Sequence, residues 1–306
     1  MRLAVLAATS ALLIPAATAD AANFNSTSPI AMSGVIQGPA TPYPSAISVA
    51  GVSEIADVDV TLHQFSHASP KAVDVLLVSP EGRSVVLMSD SPGGGSGSPG
   101  CAAVSNLELN FDDQAPTTIP IGAALTSGSY QPFDNDSAGC GVPQTNDNYP
   151  EPADDPPNGT TLADFNGTNP QGDWLLFVND SQDGAPGSIA GWTLNVKTSS
   201  NFSFGKLKKN KHKGTAKLSV DVPGPGTVAV SGKGVKAARP RSGERITAAK
   251  AVTEAGTVTL PIKAKGKKKR KLKSTGRVKL KVNVTYTPAG GAPNTEPKKI
   301  KLVDNG

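Results

Sequence analysis

The chain has 306 residues, 32 of them Gly and 26 Pro, with only 5% aromatics and a formal net charge of +5. That length supports two modest domains with cores of their own, and the composition suits short strands joined by many turns rather than long helices. The net charge hides a split, because residues 22–200 carry 3 Lys+Arg against 19 Asp+Glu, about −16, while residues 201–306 carry 26 against 5, about +21. Outside the N-terminus no apolar pattern has a helical period, and none approaches the roughly 20 residues that span a bilayer. The pattern predicts an all-β protein that is not an integral membrane protein.

Residues 1–21 read as an export signal. Arg2 supplies a positive n-region, Leu3 to Ala17 an apolar h-region, and Ala19-Asp-Ala21 a small-x-small cleavage site. The mature chain is expected to start near Ala22 and to be secreted, extracellular or held at the cell surface.

Strand signals then follow one another to Val196. Val58, Val60 and Leu62 alternate with Asp57, Asp59 and Thr61; Val73 to Val78 and Val85 to Met88 flank the turn Ser79-Pro-Glu-Gly; Leu107, Leu109 and Phe111 alternate again. Residues 92–100 and 134–160 are turn-rich loops without apolar spacing. Cys101, just after the first of these, and Cys140, within the second, are the only cysteines, each flanked by glycine. In an exported chain these predict one disulfide, worth roughly 4 kcal/mol on the chain-entropy model for a loop of this length. The run from Asn169 to Val196 holds both tryptophans, Trp174 and Trp192. Its two β-rich segments, joined by a Gly/Asp/Pro/Ser turn from Asn179 to Ser188, predict a hairpin whose tryptophans anchor the core.

The charge reverses across Lys197 to Phe202, which sets a domain boundary with a linker at 198–202 and a second domain at 203–306. Ala216, Leu218, Val220 and Val222 alternate with polar residues, as do Val258, Leu260 and Ile262, and Val278, Leu280, Val282 and Val284. Between the last two predicted strands lies Lys265-Gly-Lys-Lys-Lys-Arg-Lys-Leu-Lys, expected as a basic hairpin tip.

Several segments of the first half resemble the P domain, also called the P/Homo B domain, which follows the catalytic domain of proprotein-convertase-type subtilases. They are Asn169-Pro-Gln-Gly-Asp-Trp-Leu, Asn179-Asp-Ser and Gly187-Ser-Ile-Ala-Gly-Trp-Thr-Leu, with His67, Asp74-Val-Leu-Leu-Val-Ser-Pro-Glu-Gly, Leu107-Glu-Leu-Asn-Phe-Asp-Asp-Gln-Ala and Leu162-Ala-Asp-Phe-Asn-Gly upstream. The resemblance covers about residues 24–197. It implies a jelly-roll-like, galactose-binding-like β-sandwich over 22–197. Phe204-Gly-Lys, Lys213-Gly-Thr-Ala-Lys-Leu and Val222-Pro-Gly-Pro-Gly-Thr more loosely resemble a small immunoglobulin-like module of secreted actinobacterial proteins, which implies a smaller Ig-like β domain at 203–306.

The P-domain resemblance associates the chain with serine endopeptidases and proteolysis, but no catalytic residue is assigned. A subtilase needs an Asp, a His and a Ser nucleophile held together, and neither a Gly-Thr-Ser-Met-like segment, a His-Gly-Thr segment nor a Gly-x-Ser-x-Gly elbow occurs here. His63, on the outward parity of its strand, and His212, in a lysine run, read as solvated. His67, at the family position, reads as a structural hydrogen-bonding group. Oxygen-rich loops on a sandwich suit Ca²⁺, and the candidate ligands are Asp112, Asp113, Asp134 and Asp136, with Asp180 and Asp183 a further acidic pair. The competing reading is that Asp and Asn favour turns.

Lys267, Lys268, Lys269, Arg270, Lys271 and Lys273, with Arg277, Lys279 and Lys281 on one strand face, form a candidate polyanion site that works through counterion release. Few aromatics interleave with them, so no nucleic acid is expected. The expected partner is an anionic cell-wall polymer or polysaccharide, and the alternatives are a solvated basic face or docking on the acidic half. Two functions follow: a secreted non-catalytic interaction or stabilising protein, or an accessory P domain acting in trans on a secreted subtilase.

Overall fold

The computed structural model describes residues 21–92, 95, 97–135, 139–140, 149–153, 159, 161–236 and 249–306. The expected export signal, apart from its last residue, and Asp136 lie outside the described residues. The first half contributes thirteen strands: β1 (Ala22–Ser26), β2 (Ile30–Met32), β3 (Gly38–Pro39), β4 (Ser45–Val49), β5 (Ile55–His67), β6 (Val73–Val78), β7 (Ser84–Ser89), β8 (Val104–Phe111), β9 (Gly128–Tyr130), β10 (Phe133–Asp134), β11 (Gly172–Asp180), β12 (Gly187–Ile189) and β13 (Gly191–Thr198). The second adds β14 (Ser203–Asn210), β15 (Thr215–Val222), β16 (Gly226–Ser231), β17 (Ala249–Val252), β18 (Gly256–Lys263), helix α1 (Gly266–Thr275), β19 (Arg277–Pro288) and β20 (Asn294–Val303).

Two sheets make the first half a sandwich. In one, β5 is the spine: β13 and then β12 run along one side of it and β8 along the other, with β1, β2 and β9 outside them. In the other, the order is β10-β7-β6-β11, with β3 and β4 both on the far side of β11. The alternation read from sequence determines what faces inward, since side chains point to opposite faces at successive residues. Val58, Val60 and Leu62 are at most 1% exposed, and their even-numbered register buries them against the opposite sheet. Strands β6 and β7 are buried along their whole length, because loops cover their second face with a smaller cluster of Leu76, Val86, Tyr149 and Phe177.

The tryptophans anchor this core, but not through a hairpin. Trp174 and Trp192 are both fully buried, yet β11 lies in one sheet and β13 in the other. β11 pairs with β4 and β6, while β13 pairs with β1 and β5. The turn-rich segment after Asn179 therefore crosses between sheets, and the two indoles reach the core from opposite sides. Each indole N–H keeps a partner, Trp174 Nε1 donating to the Pro170 carbonyl at 2.9 Å and Trp192 Nε1 to Ser45 Oγ at 3.0 Å. Two apolar runs joined by about ten turn residues bury equally well paired side by side or stacked face to face, so the sequence pattern does not distinguish them.

The second half is a smaller sandwich of a three-stranded sheet, β14-β15-β18, and a four-stranded sheet, β17-β16-β19-β20. The alternating residues named above fill its core, with Tyr286, Ile300 and Leu302. The segment expected as a basic hairpin tip is instead the ten-residue helix α1. Lys, Arg and Leu are good helix formers, and Gly276 ends the helix in the left-handed conformation at φ +68°. Only Leu272 of α1 is buried, so one apolar anchor replaces the helical period whose absence argued against a helix.

The halves meet through neutral groups. Tyr286 Oη donates to the Gly224 carbonyl at 3.0 Å and lies 3.4 Å from Ser53 Oγ across the junction. Thr198 Oγ1 donates to the Ala289 carbonyl and Asn294 Nδ2 to the Ser200 carbonyl. Gly224 is required here, because a Cβ on it would stand 2.7 Å from the Ser53 Cα.

Candidate functional site

The lysine-rich end of the second sandwich is built by register. The outward residues of β19 face those of β20, so that Lys279 stands opposite Lys301 and Lys281 opposite Lys299. All four are exposed, and Arg277 continues the row. Like charges directly opposite on a sheet face repel, so these facing pairs are a local cost. With Lys268 they line an open trough of about 540 Å³ floored by Leu280 and Ile300.

Helix α1 links this trough to a second depression. Lys268 Nζ donates to the Lys279 carbonyl at 3.2 Å. On its other side α1 borders a cleft of about 810 Å³ where Lys213, Lys236, Lys263, Lys265, Lys269 and Lys273 gather. Backbone hydrogen bonds hold three of these side by side, Lys236 N to the Lys263 carbonyl at 2.8 Å and Lys265 N to the Gly234 carbonyl at 2.7 Å. Among the described residues the one acid lining the cleft is Asp304, 3.1 Å from Lys273 Nζ, and that hydrogen bond holds the Asp304 carboxyl below its usual range. The predicted residues Lys267 to Lys273, Arg277, Lys279 and Lys281 thus share one end of the molecule. Lys299 and Lys301 were missed, although the alternation Lys299-Ile-Lys-Leu carries their signal. Of the cleft lysines, Lys269 and Lys273 belong to the predicted basic run, whereas Lys213, Lys236 and Lys263 come from separate segments with no sequence signature.

Among the described residues no ion pair joins the two halves. The junction lies at the Tyr286 end of β19 and the trough at its Lys279 end, roughly 23 Å away at about 3.3 Å per residue. The acidic half uses its own three cations internally. Arg83 donates to the Asp164 carbonyl, Lys71 pairs with Asp90, and Lys197 sits 2.6 Å from Asp57 and 3.2 Å from Asp59. Burial alone would lower the Lys197 pKa, but its two carboxylate partners outweigh that and raise it.

The candidate calcium residues serve the backbone. Asp113 caps the turn at Leu162 and Ala163 through both oxygens, and Asp112 accepts from Gln114 N at 2.7 Å. Asp134 is exposed beside Ser89 on β10, and Asp136 lies outside the described residues. Asp183 accepts from Gln37 N and Asp180 from Gln182 N. Among the described residues no three His, Cys, Asp or Glu side chains converge into a group that could hold a metal ion.

Of the histidines, His67 is buried at 2% exposure, where its Nδ1 accepts from Ser69 N at 3.0 Å, which leaves Nε2 to donate to Asp180 at 3.3 Å. Gly187 makes room for the ring, since a Cβ there would stand 2.0 Å from the His67 Cδ2. His63 points outward as expected, yet both its nitrogens are engaged, one with Glu108 and one with Thr193. His212 is exposed in a turn. Cys101 and Cys140 form the expected disulfide.

No protein-family model matches this chain, and a search of curated proteins finds no match either.

Proposed function

We propose that this is a secreted, non-catalytic protein held by its basic sandwich on an anionic polymer of the cell envelope. The P-domain-like sandwich then acts as an interaction or stabilising module. One observation carries the reading: among the described residues, the facing pairs Lys279–Lys301 and Lys281–Lys299, with the cation-lined cleft across α1, have no counter-charge from the acidic half. A polyanion laid along β19, β20 and α1 would relieve that repulsion and release its own counterions. Repeating phosphate or carboxylate groups suit a row of point-charge ammonium groups, which need no fixed hydrogen-bonding fork.

The test is sedimentation of the full mature chain with purified cell envelope across a salt series. The wild type is expected to pellet at low salt and to be released steeply as salt rises. The quadruple variant Lys279→Glu, Lys281→Glu, Lys299→Glu, Lys301→Glu should bind at least about tenfold more weakly, with a shallower salt slope. Equal pelleting of the two proteins overturns the reading.

A further inference from the structure

Lys71 is fully buried, and so are Asp90 at 1% and Asp74 at 2% exposure. The three converge because β6 and β7 are antiparallel neighbours. Lys71 sits in the short 3-10 turn Pro70–Ala72 that leads into β6, Asp74 is the second residue of β6, and Asp90 immediately follows β7. The backbone of Asp90 is in the left-handed region at φ +48°. Lys71 Nζ lies 2.8 Å from Asp90 Oδ1 and 3.3 Å from the Asp90 carbonyl oxygen. Asp74 Oδ1 accepts from Ser89 Oγ at 3.0 Å and from Asp90 N at 3.4 Å, which sets a second carboxylate beside the first. Asn135 Nδ2 closes the group by donating to the Asp90 carbonyl at 2.8 Å.

An ion pair is a poor use of this geometry. Taking an ammonium and two carboxylates out of water costs more than their attraction reliably returns, and buried pairs of this kind are often no more stable than apolar ones. Yet the acidic half, with only three cations, commits one of them here with no atom in contact with solvent. The same geometry is well suited to forming a bond. An amine held 2.8 Å from a carboxylate oxygen, with the carboxyl carbon one bond further on, can react as if at effective concentrations of about 10⁵–10⁸ M.

We propose that Lys71 and Asp90 are joined by an intramolecular amide bond, with Asp74 as a positioning residue that holds Asp90 through its backbone N–H and through Ser89. The Lys71 ammonium passes a proton to Asp90 Oδ1 across the 2.8 Å contact, which gives a free amine beside a carboxylic acid. Nζ then attacks Cγ of Asp90, the C–N bond forms, and the C–O bond breaks. The departing hydroxyl takes a second proton from the nitrogen and leaves as water. One positive and one negative charge disappear from the core, nothing is oxidised or reduced, and no co-reactant is needed. The bond ties the entry of β6 to the exit of β7. It lies close to the disulfide, because the turn carrying Lys71 packs against the turn Pro99–Cys101.

Intact mass of the mature chain, denatured and with its disulfide reduced, tests the proposal without any variant. The expected mass is about 18 Da below that of the sequence, and digestion should give a branched peptide joining Lys71 to Asp90. A mass equal to that of the sequence, with cleavage after Lys71 by trypsin, overturns it. Asp90→Asn should give the same final bonded mass, because ammonia leaves in place of water. Lys71→Arg should give the unmodified mass. Asp74→Asn keeps the volume but loses the charged acceptor that holds Asp90 N and Ser89 Oγ, so it should accumulate unbonded chain. A fully bonded Asp74→Asn protein overturns the role given to Asp74.

Discussion

Among the described residues, Lys273 is the one cation of α1 that has a carboxylate partner, and that partner is the residue at the end of the last strand. The hydrogen bond from Lys273 lowers the Asp304 pKa, so the sign of the linkage is fixed. A carboxyl depressed in the folded state adds stability above its unfolded value, about 3.9, and loses it as pH falls through the lower folded value. Lys273→Ala should therefore melt below the wild type at pH 6, and the gap should close as the pH is taken down toward 3. A gap independent of pH would show that Lys273 acts through packing of its stem rather than through charge. His67 makes a contrasting case. It matches the residue that the P-domain resemblance singles out, and its partners are a backbone N–H and Asp180, so the ring fastens β5 to the end of β11.

At the scale of the element, α1 is a helix stabilised by tertiary contact despite its charges. Lys267 and Lys271, and Lys269 and Lys273, are like charges four residues apart, an arrangement that destabilises an isolated helix. Ten residues are also too few for a helix to persist alone in water. Leu272, 4% exposed, is what holds it on the sandwich. Leu272→Ala is expected to destabilise the protein by about 2–4 kcal/mol in denaturant unfolding and to weaken envelope binding at the same time, because the cleft loses one wall. Retained binding with lowered stability would place the polymer on β19 and β20 alone.

At the scale of the whole molecule, two sandwiches of opposite charge are joined end to end by uncharged groups. Screening over about 8 Å at physiological salt makes long-range attraction a weak glue, so the joint depends on fitted contacts such as Tyr286 against Gly224 and Ser53. Burial raises the pKa of the Tyr286 hydroxyl, as expected of a phenol enclosed by the two halves. Tyr286→Phe leaves the Ser53 hydroxyl without this partner and should cost about 1–2 kcal/mol. In calorimetry it should also begin to separate one transition into two. An unchanged single transition would mean that the halves are coupled by the backbone crossing at Thr198 and Ser199 rather than by this tyrosine.

Alternation made the strands legible in the sequence, because a two-residue period has only one way to put Val58, Val60 and Leu62 on the same buried face. Composition made the charge division legible, and two glycine-flanked cysteines behind an expected export signal made the disulfide so. Pairing was not legible. Whether Trp174 and Trp192 lie in one sheet or face each other across two depends on which distant strands are available, and β4, β5 and β6 decide it. The helix at 266–275 escaped a pattern search for the same reason, since a single leucine touching the core leaves no periodicity to find. Lys299 and Lys301 join the basic surface only through the β19–β20 register, and Lys71 meets Asp90 only because β6 and β7 lie side by side. Side-chain period and charge are local properties of the chain, whereas the facing of like charges and the meeting of an amine with a carboxylate depend on which strands pair, which only the folded chain settles.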